Sequence, residues 1–454
     1  MSGGRINSRR AAKQLHSSKK VPDSEEKSEI KRMPEIGAKR KDNAMSTNFD
    51  VNRIREDFPI FKNHPDLIYL DNSATSQKPF QVIRAVTEFY EKSNANPLRG
   101  LYDLAQTATE EYEQAREKVQ KFIHAARADE IIFTRNATES LNLAAYSFGD
   151  LVLHEGDEVV VSIAEHHSNL LPWQAAAARH GAVLRYLECD EKGKITEEAF
   201  RAALTKRTKL VAITQVSNVL GRKNDIKTFA KACHEKGIAI VVDGAQSVPH
   251  MMVDVQDLDV DFLAFSGHKM LAPMGIGVLY GKHKYLKKMQ PFLSGGEMIE
   301  SVTRERTVFA QPPHRFEAGT VNAGGAVGLG AAIDYINAIG FEQIEKQESM
   351  LTQLTAERLQ KIPHVHLIGS DDPAEHHGIL TFSVDGVHPH DIAAILDADH
   401  IAVRAGHHCA QPLHQHLGVM STTRASLGFY NTEEEIVKFT DSVAQIRRKM
   451  GYDE

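Results

Sequence analysis

Apolar residues along this chain follow two rhythms. Between about residues 66 and 310, short continuous apolar runs alternate with stretches whose apolar positions recur at helical spacing. Glu158–Ile163 (EVVVSI), Leu210–Gln215 (LVAITQ), Ile238–Val242 (IAIVV) and Phe262–Phe265 (FLAF) are runs of the first kind, short and rich in β-branched residues. A strand covered on both faces has no polar side to alternate with, so these runs predict buried strands of a mostly parallel sheet joined by helices. The second rhythm is clear after Asp225, where Ile226, Phe229, Ala230 and Cys233 share one helical face. Asp225 is placed to cap that helix and Gly237 to end it.

Past this body the pattern changes. A glycine-rich passage, Ala318–Gly330, reads as a separator, and Ile336–Leu359 as one long helix. Short strand-like runs follow at His366–Ile368 and Ile379–Val384, then helices at Asp391–Leu396 and Glu433–Lys449. The architecture predicted is α/β: a large domain over residues 66–317 with a mostly parallel central sheet, and a smaller α+β domain over 318–454. Residues 45–65, helical at first and proline-containing, are expected to pack with the smaller domain. The chain shows no internal repeat and no coiled-coil heptads.

Composition narrows the class. The chain has 454 residues, 42% hydrophobic and 25% charged, which suits a water-soluble protein of two or three domains. No apolar run approaches the ~18 residues that span a bilayer, and the N-terminal stretch lacks the apolar core of a secretory signal. Three cysteines make a poor disulfide framework, so the expected compartment is reducing and cytoplasmic. Residues 1–44 hold 12 basic and 6 acidic residues, a net of +6, against 42 basic and 54 acidic in the remainder, a net of −12. With no Phe, Trp or Tyr before Phe49, residues 1–44 are expected to be a disordered basic extension, and Met45 reads as an internal start. Acids interspersed from Asp23 onward argue against a nucleic-acid arm, and the missing apolar face argues against an organelle transit peptide. The mildly acidic remainder argues against a general nucleic-acid binder. Neither nucleic acid nor membrane is expected as a partner.

Candidate chemistry gathers where strands end. Cys409 sits in Val403-Arg404-Ala405-Gly406-His407-His408-Cys409-Ala410-Gln411-Pro412. A thiol reacts as thiolate, which nearby imidazolium or guanidinium groups favour, and Gly406 with Pro412 suggests a shaped loop. The alternatives are a buried structural cysteine or a metal pair with the histidines, although adjacent histidines do not easily face one ion. Cys233 lies on an apolar stripe and Cys189 follows an expected strand, Val183–Leu187, so both read as structural. Lys269, in Phe265-Ser266-Gly267-His268-Lys269, follows a buried strand, where desolvation lowers an amine's pKa and favours imine formation. Ser266 and His268 offer donors for a phosphate. Asp243 in Val241-Val242-Asp243-Gly244-Ala245-Gln246 ends another strand, either as a helix cap or as the partner of a protonated pyridine nitrogen. Thr134-Arg135-Asn136-Ala137-Thr138-Glu139-Ser140 is a strand-to-helix junction suited to phosphate, and His166 past a further strand can stack on a flat ring. Thr138, His166, Asp243 with Gln246, and Lys269 together match the needs of pyridoxal 5′-phosphate.

The motifs RNATESLN, EHHSNLLPW, QVSNVLG, VDGAQS, FSGHK, RFEAGT, VRAGHHCAQP and TRASLGFYNT run in order between about Asn48 and Gly451. In them the chain resembles the class V, fold-type I pyridoxal-phosphate enzymes, and most closely the SufS-type cysteine desulfurases. The resemblance implies Lys269 as the Schiff-base lysine, Asp243 on the pyridine nitrogen, Gln246 at the ring oxygen and His166 stacked on the ring. It implies Ala137, Thr138, Ser266 and His268 around the phosphate, Asn218 near the cofactor, and Thr320 reaching the phosphate of a neighbouring subunit. Arg424 would take the substrate carboxylate, with Asn218 and Arg404 beside it, and Cys409 would form a persulfide. The implied activity converts L-cysteine to L-alanine in a homodimer, with sulfur passed to an acceptor protein of the SufU or SufE kind for iron–sulfur cluster assembly. Selenocysteine lyase, cysteine-sulfinate desulfinase and class V aminotransferase activities are the alternatives on this fold; an inactive scaffold is the alternative from another class. One segment departs from the pattern: Leu98 and Tyr102 stand where histidines are common, near the expected active-site entrance.

Overall fold

The computed structural model describes residues 49–452; the expected basic extension at 1–44 lies outside them. A seven-stranded sheet forms the centre, in the order Ile131–Thr134, Gly277–Gly281, Phe262–Ser266, Ala239–Asp243, Thr208–Thr214, Glu158–Ser162 and Val183–Leu187. The last five pair in parallel, while Gly277–Gly281 runs antiparallel to both of its neighbours. The four predicted strands are all present, each within one or two residues at either end.

Alternation along each strand divides the core into two layers. Val160, Val211, Ile240 and Leu263 pack on one face, and Val161, Ala212, Val241 and Ala264 on the other. Both layers are covered by helices, so no strand face is left for polar residues except at the Val183–Leu187 edge. The helix Ile226–His234 is capped as expected, with Asp225 accepting from the Thr228 N–H, and Gly237 turns the chain out at φ +70°.

A second sheet is antiparallel, in the order Val365–Ile368, Ile379–Val384, Thr422–Ser426, Arg404–Gly406. It packs with helices Phe341–Leu359, Pro389–Ala398 and Glu433–Ala444 around Leu351, Phe382, Leu396 and Phe439. The C-terminal helical pattern breaks after Ala444 and resumes as one turn, Ile446–Lys449. Residues 49–65 form two short helices, Val51–Arg55 and Pro59–Asn63. Arg55 pairs with Glu435 at 2.8 Å, and Phe58 packs among Tyr335, Phe429 and Tyr430.

The glycine-rich passage differs from the expectation. Residues Ala323–Ile339 form a helix capped by Asn322, and Gly340 at φ +87° separates it from Phe341–Leu359. The glycines are packing residues. A Cβ at Gly328 would come 2.6 Å from Pro273 and 2.7 Å from Val86, and one at Gly324 would come 3.1 Å from the Tyr90 ring. Helix Ala323–Ile339 therefore lies close against Phe80–Glu88 and Asp103–Phe122.

Candidate active site

A cleft of about 250 Å³ opens at the carboxyl ends of the central strands, where open α/β sheets place ligand-binding groups. It is lined by Ala137, Thr138, His166, Asn218, Asp243, Gln246, Ser266, His268, Lys269, Arg404, Cys409 and Arg424, which are all of the cofactor, substrate and catalytic candidates except Thr320. Thr320 lines a separate cleft with Tyr112, Arg135 and Asn322. Leu98 and Tyr102 line neither.

Strand Phe262–Ser266 delivers Lys269 through a tight turn, Gly267–Lys269. Only glycine fits at its start, because a Cβ there would meet Ile276 at 2.7 Å. Burial lowers the Lys269 pKa to about 8, against the opposing pull of Asp243. Asp243 is buried at the end of the adjacent strand, and its Oδ1 accepts from the Ala245 N–H at 2.9 Å. Burial also raises its pKa, so a positively charged partner stabilises its carboxylate. Gln246 donates to the Ser73 carbonyl at 3.0 Å, and its Oε1 is buried with no partner among the described residues.

The helix Ala137–Leu143 begins at the neighbouring strand end, capped by Asn136. Ala137 N–H donates to Ser266 Oγ at 2.8 Å, and Thr138 shares a 2.7 Å hydroxyl pair with Ser168. His166 Nδ1 accepts from the Ser168 N–H at 3.1 Å, and burial lowers the ring's pKa to about 3, so it is neutral at ordinary pH. A neutral flat ring, a hydroxyl-lined helix start, an acid and a desolvated amine form the donor set that pyridoxal 5′-phosphate requires.

The thiol comes from the second sheet. Strand Arg404–Gly406 leads into a loop in which His408 (φ +50°) and Cys409 (φ +56°) are both left-handed. Such residues are costly and persist where several contacts hold them. Three segments do so: His167 N–H donates to the Cys409 carbonyl at 2.7 Å, Asn218 Nδ2 to the His408 carbonyl at 2.7 Å, and His408 Nε2 meets Thr422 Oγ1 at 3.0 Å. His414 Nε2 reaches the same hydroxyl at 3.0 Å, and its Nδ1 donates to the Ala410 carbonyl at 3.1 Å. Burial pushes the His408 pKa down to about 2. Cys409 is exposed, whereas Cys189 and Cys233 are buried with raised pKa values, in keeping with their structural reading.

Arg424 is buried on strand Thr422–Ser426. Its guanidinium donates to the Asn218 carbonyl at 2.8 Å and to Asp71 at 3.3 Å, while its Nε has no partner among the described residues. Asp71 also pairs with Arg404 at 3.1 Å. Sequence reasoning missed Asp71, and with it Ser73, Ser168 and the buried Glu165, which accepts from Asn169 Nδ2 and the Thr214 N–H. Glu165 and Ser168 stood inside a quoted motif. Asp71 and Ser73 stand in a run of small polar residues, Asp71-Asn72-Ser73-Ala74-Thr75-Ser76, which is the one signal that pointed to them.

A family model described as aminotransferase class-V matches residues 68–439. A probable cysteine desulfurase of Halalkalibacterium halodurans is 47% identical over 406 residues, covering 89% of this chain and 99% of that protein. Among solved structures, the apo cysteine desulfurase of Thermococcus onnurineus NA1 superposes with a TM-score of 0.85 at 42% identity, over 89% of this chain and 100% of that one. A cysteine desulfurase of Escherichia coli in an S-sulfonic acid form gives a TM-score of 0.82 at 37% identity, over 88% and 99%.

Proposed function

The chain belongs to the aminotransferase class-V family, and we propose that it works as a cysteine desulfurase that forms its persulfide on Cys409. The enzyme is pyridoxal-phosphate-dependent and takes L-cysteine. The observation that carries the thiol assignment is that Cys409, Lys269 and the buried Arg424 all line one cleft.

Pyridoxal 5′-phosphate, held by a lysine at rest and bonded to the substrate's nitrogen during reaction, would supply an electron sink for the amino acid's Cα. Lys269 would hold the cofactor, and its amine, with a pKa near 8, would serve as the base that takes the Cα proton. Asp243 would keep the ring nitrogen protonated as its buried counter-ion. His166 would stack on the ring, Gln246 would meet the ring oxygen, and Ala137, Thr138, Ser266 and His268 would hold the phosphate. Arg424 and Arg404 receive the substrate carboxylate, for which a guanidinium fork is the natural partner. Asn218 braces both the thiol loop and Arg424. The Cys409 thiolate would attack the substrate Sγ, the Cβ–Sγ bond would break with its electron pair going to carbon, and alanine would be released once Cβ is protonated and Lys269 returns the proton taken from Cα.

In this reading residues 66–317 hold the cofactor, and the part beyond 318 brings the thiol. A homodimer puts Thr320 against the phosphate site of the partner copy. The persulfide then passes to a small acceptor of the SufU or SufE kind for cluster assembly in the cytoplasm. Among the described residues no helix is long and apolar enough to cross a membrane.

The test is intact mass after incubation with L-cysteine: a gain of about 32 Da, one sulfur atom, mapped to Cys409. Cys409→Ala is expected to keep the cofactor's absorbance and lose alanine formation. Full cysteine turnover in that variant overturns the assignment and favours a lyase or desulfinase reaction that needs no thiol.

A further inference from the structure

Lys78 lies outside the cleft lining, yet its ammonium is engaged on every side. Nζ donates to Ser76 O at 2.5 Å, to His268 O at 2.9 Å and to Thr75 Oγ1 at 3.4 Å. An ammonium has three N–H donors, and here each has an oxygen. None of the three is a carboxylate, so the charge is held by neutral groups in a half-buried place, and burial lowers its pKa to about 8. A lysine that only decorated the surface would keep its charge in water.

The acceptor explains the arrangement. His268 O is the carbonyl of the peptide that joins His268 to Lys269. Besides Lys78 it receives Thr75 Oγ1 at 3.0 Å, Ser76 N–H at 3.1 Å and Ser76 Oγ at 3.2 Å. Four donors converge on one oxygen with two lone pairs. Ser76 Oγ in turn accepts from the Leu271 N–H at 2.8 Å, just past Lys269. Residues 75–78 are themselves anchored, by Tyr69 OH on Thr75 O at 2.8 Å and by Tyr430 OH accepting from Gln77 N–H at 2.9 Å. From the opposite side Gly267 N–H donates to Ile276 O at 2.9 Å. The lysine turn is thus gripped from both flanks.

We propose that Lys78 is a positioning residue for Lys269: with Thr75 and Ser76 it fixes the peptide ahead of the reacting lysine, so that the amine returns to the same place in each turnover. The inference rests on Lys269 being the lysine that bonds the cofactor. That amine must leave and re-form a bond in every cycle, and a displacement of about 1 Å in such a group costs up to ~100-fold in rate. A charged donor suits the task because charge-assisted hydrogen bonds are roughly twice as strong as neutral ones.

The experiment compares the wild-type holoenzyme with Lys78→Met, Lys78→Arg and Thr75→Val, with Lys269→Ala in parallel. It reads kcat and KM for L-cysteine, the melting temperature, and the rate at which the apo form captures added pyridoxal 5′-phosphate, fixed with borohydride and weighed. Lys78→Met is expected to lower kcat about tenfold with KM moving by no more than about twofold, and to slow capture about tenfold. Lys78→Arg, which keeps a cationic donor, restores both to within about threefold. Thr75→Val shifts both in the same direction by less, and carries the test if Lys78→Met does not fold. Unchanged kcat and capture in the folded variants overturn the proposal. So does an equal loss in the Met and Arg variants that tracks melting temperature, since that marks a packing role. A covalent adduct on Lys269→Ala instead overturns the assignment of Lys269, and the positioning role falls with it.

Discussion

Lys269 shows how far a single residue can be read and where reading stops. Burial lowers its pKa from 10.5 to about 8. The nucleophile is the neutral amine, so its population grows as pH rises through that value and not two units higher. Capture of pyridoxal 5′-phosphate by the apo enzyme is therefore expected to speed up between roughly pH 7 and pH 9, levelling above about pH 9. A rate still climbing towards the range of a solvated lysine would mean that the amine is not desolvated. Lys269, Asp243 and Cys409 were legible because each announces itself locally, at the end of an apolar run or between glycine and proline. Asp71 and Lys78 were not. Their partners Arg424 and His268 lie 353 and 190 residues away along the chain, and nothing in a short window records such a meeting.

Among the elements, the buried strands were the easiest to recognise, since a run such as Val159-Val160-Val161 has no other stable place than a doubly covered sheet. Helix Ala323–Ile339 was the hardest. Glycine is a poor helix former, and a passage holding Gly324, Gly325, Gly328 and Gly330 reads as a break. Tertiary packing outweighs that propensity, because the missing side chains let the helix approach its neighbours. Gly328→Ala tests this directly. By helix propensity alone it gains up to about 1 kcal/mol, but its methyl would strike Pro273 and Val86. The expected result is a net loss of about 1–3 kcal/mol in denaturant unfolding, as overpacking gives. A stabilised variant would show that the contact relaxes freely.

For the molecule as a whole, one buried ion pair joins parts remote in sequence. Glu317 accepts from Arg116 Nη1 at 2.7 Å and Nη2 at 2.9 Å, from Tyr112 OH at 2.9 Å and from the Phe133 N–H at 2.7 Å. Helix Asp103–Phe122, edge strand Ile131–Thr134 and the chain leaving for the second sheet meet at this carboxylate. A buried pair adds little over an apolar substitute, but removing Glu317 leaves the buried Arg116 with only the part-exposed Glu113 carboxylate at 2.8 Å. Glu317→Ala is therefore expected to cost about 3 kcal/mol of unfolding free energy, the low end for a broken buried pair because Glu113 still holds Arg116, measured by urea or guanidinium titration. A loss below about 1 kcal/mol would mean that water reaches Arg116. Glu317 sits inside a motif that could be quoted from the sequence, yet its structural task could not, because three of its four donors come from Tyr112 and Arg116 on a helix some 200 residues earlier.

The Thr422 hydroxyl imposes a direction on the thiol loop. It carries a single proton and meets two imidazoles. His414 Nδ1 faces the Ala410 carbonyl, which can only accept, so that nitrogen holds the proton and the neutral ring's Nε2 is bare. Thr422 must then give its proton to His414 and take one from His408 Nε2. The polarity runs one way along the chain and leaves His408 Nδ1 as a buried lone pair with no partner among the described residues. Serine at 422 would keep that polarity, whereas valine would cut the chain in the middle and leave the tautomer next to Cys409 undetermined.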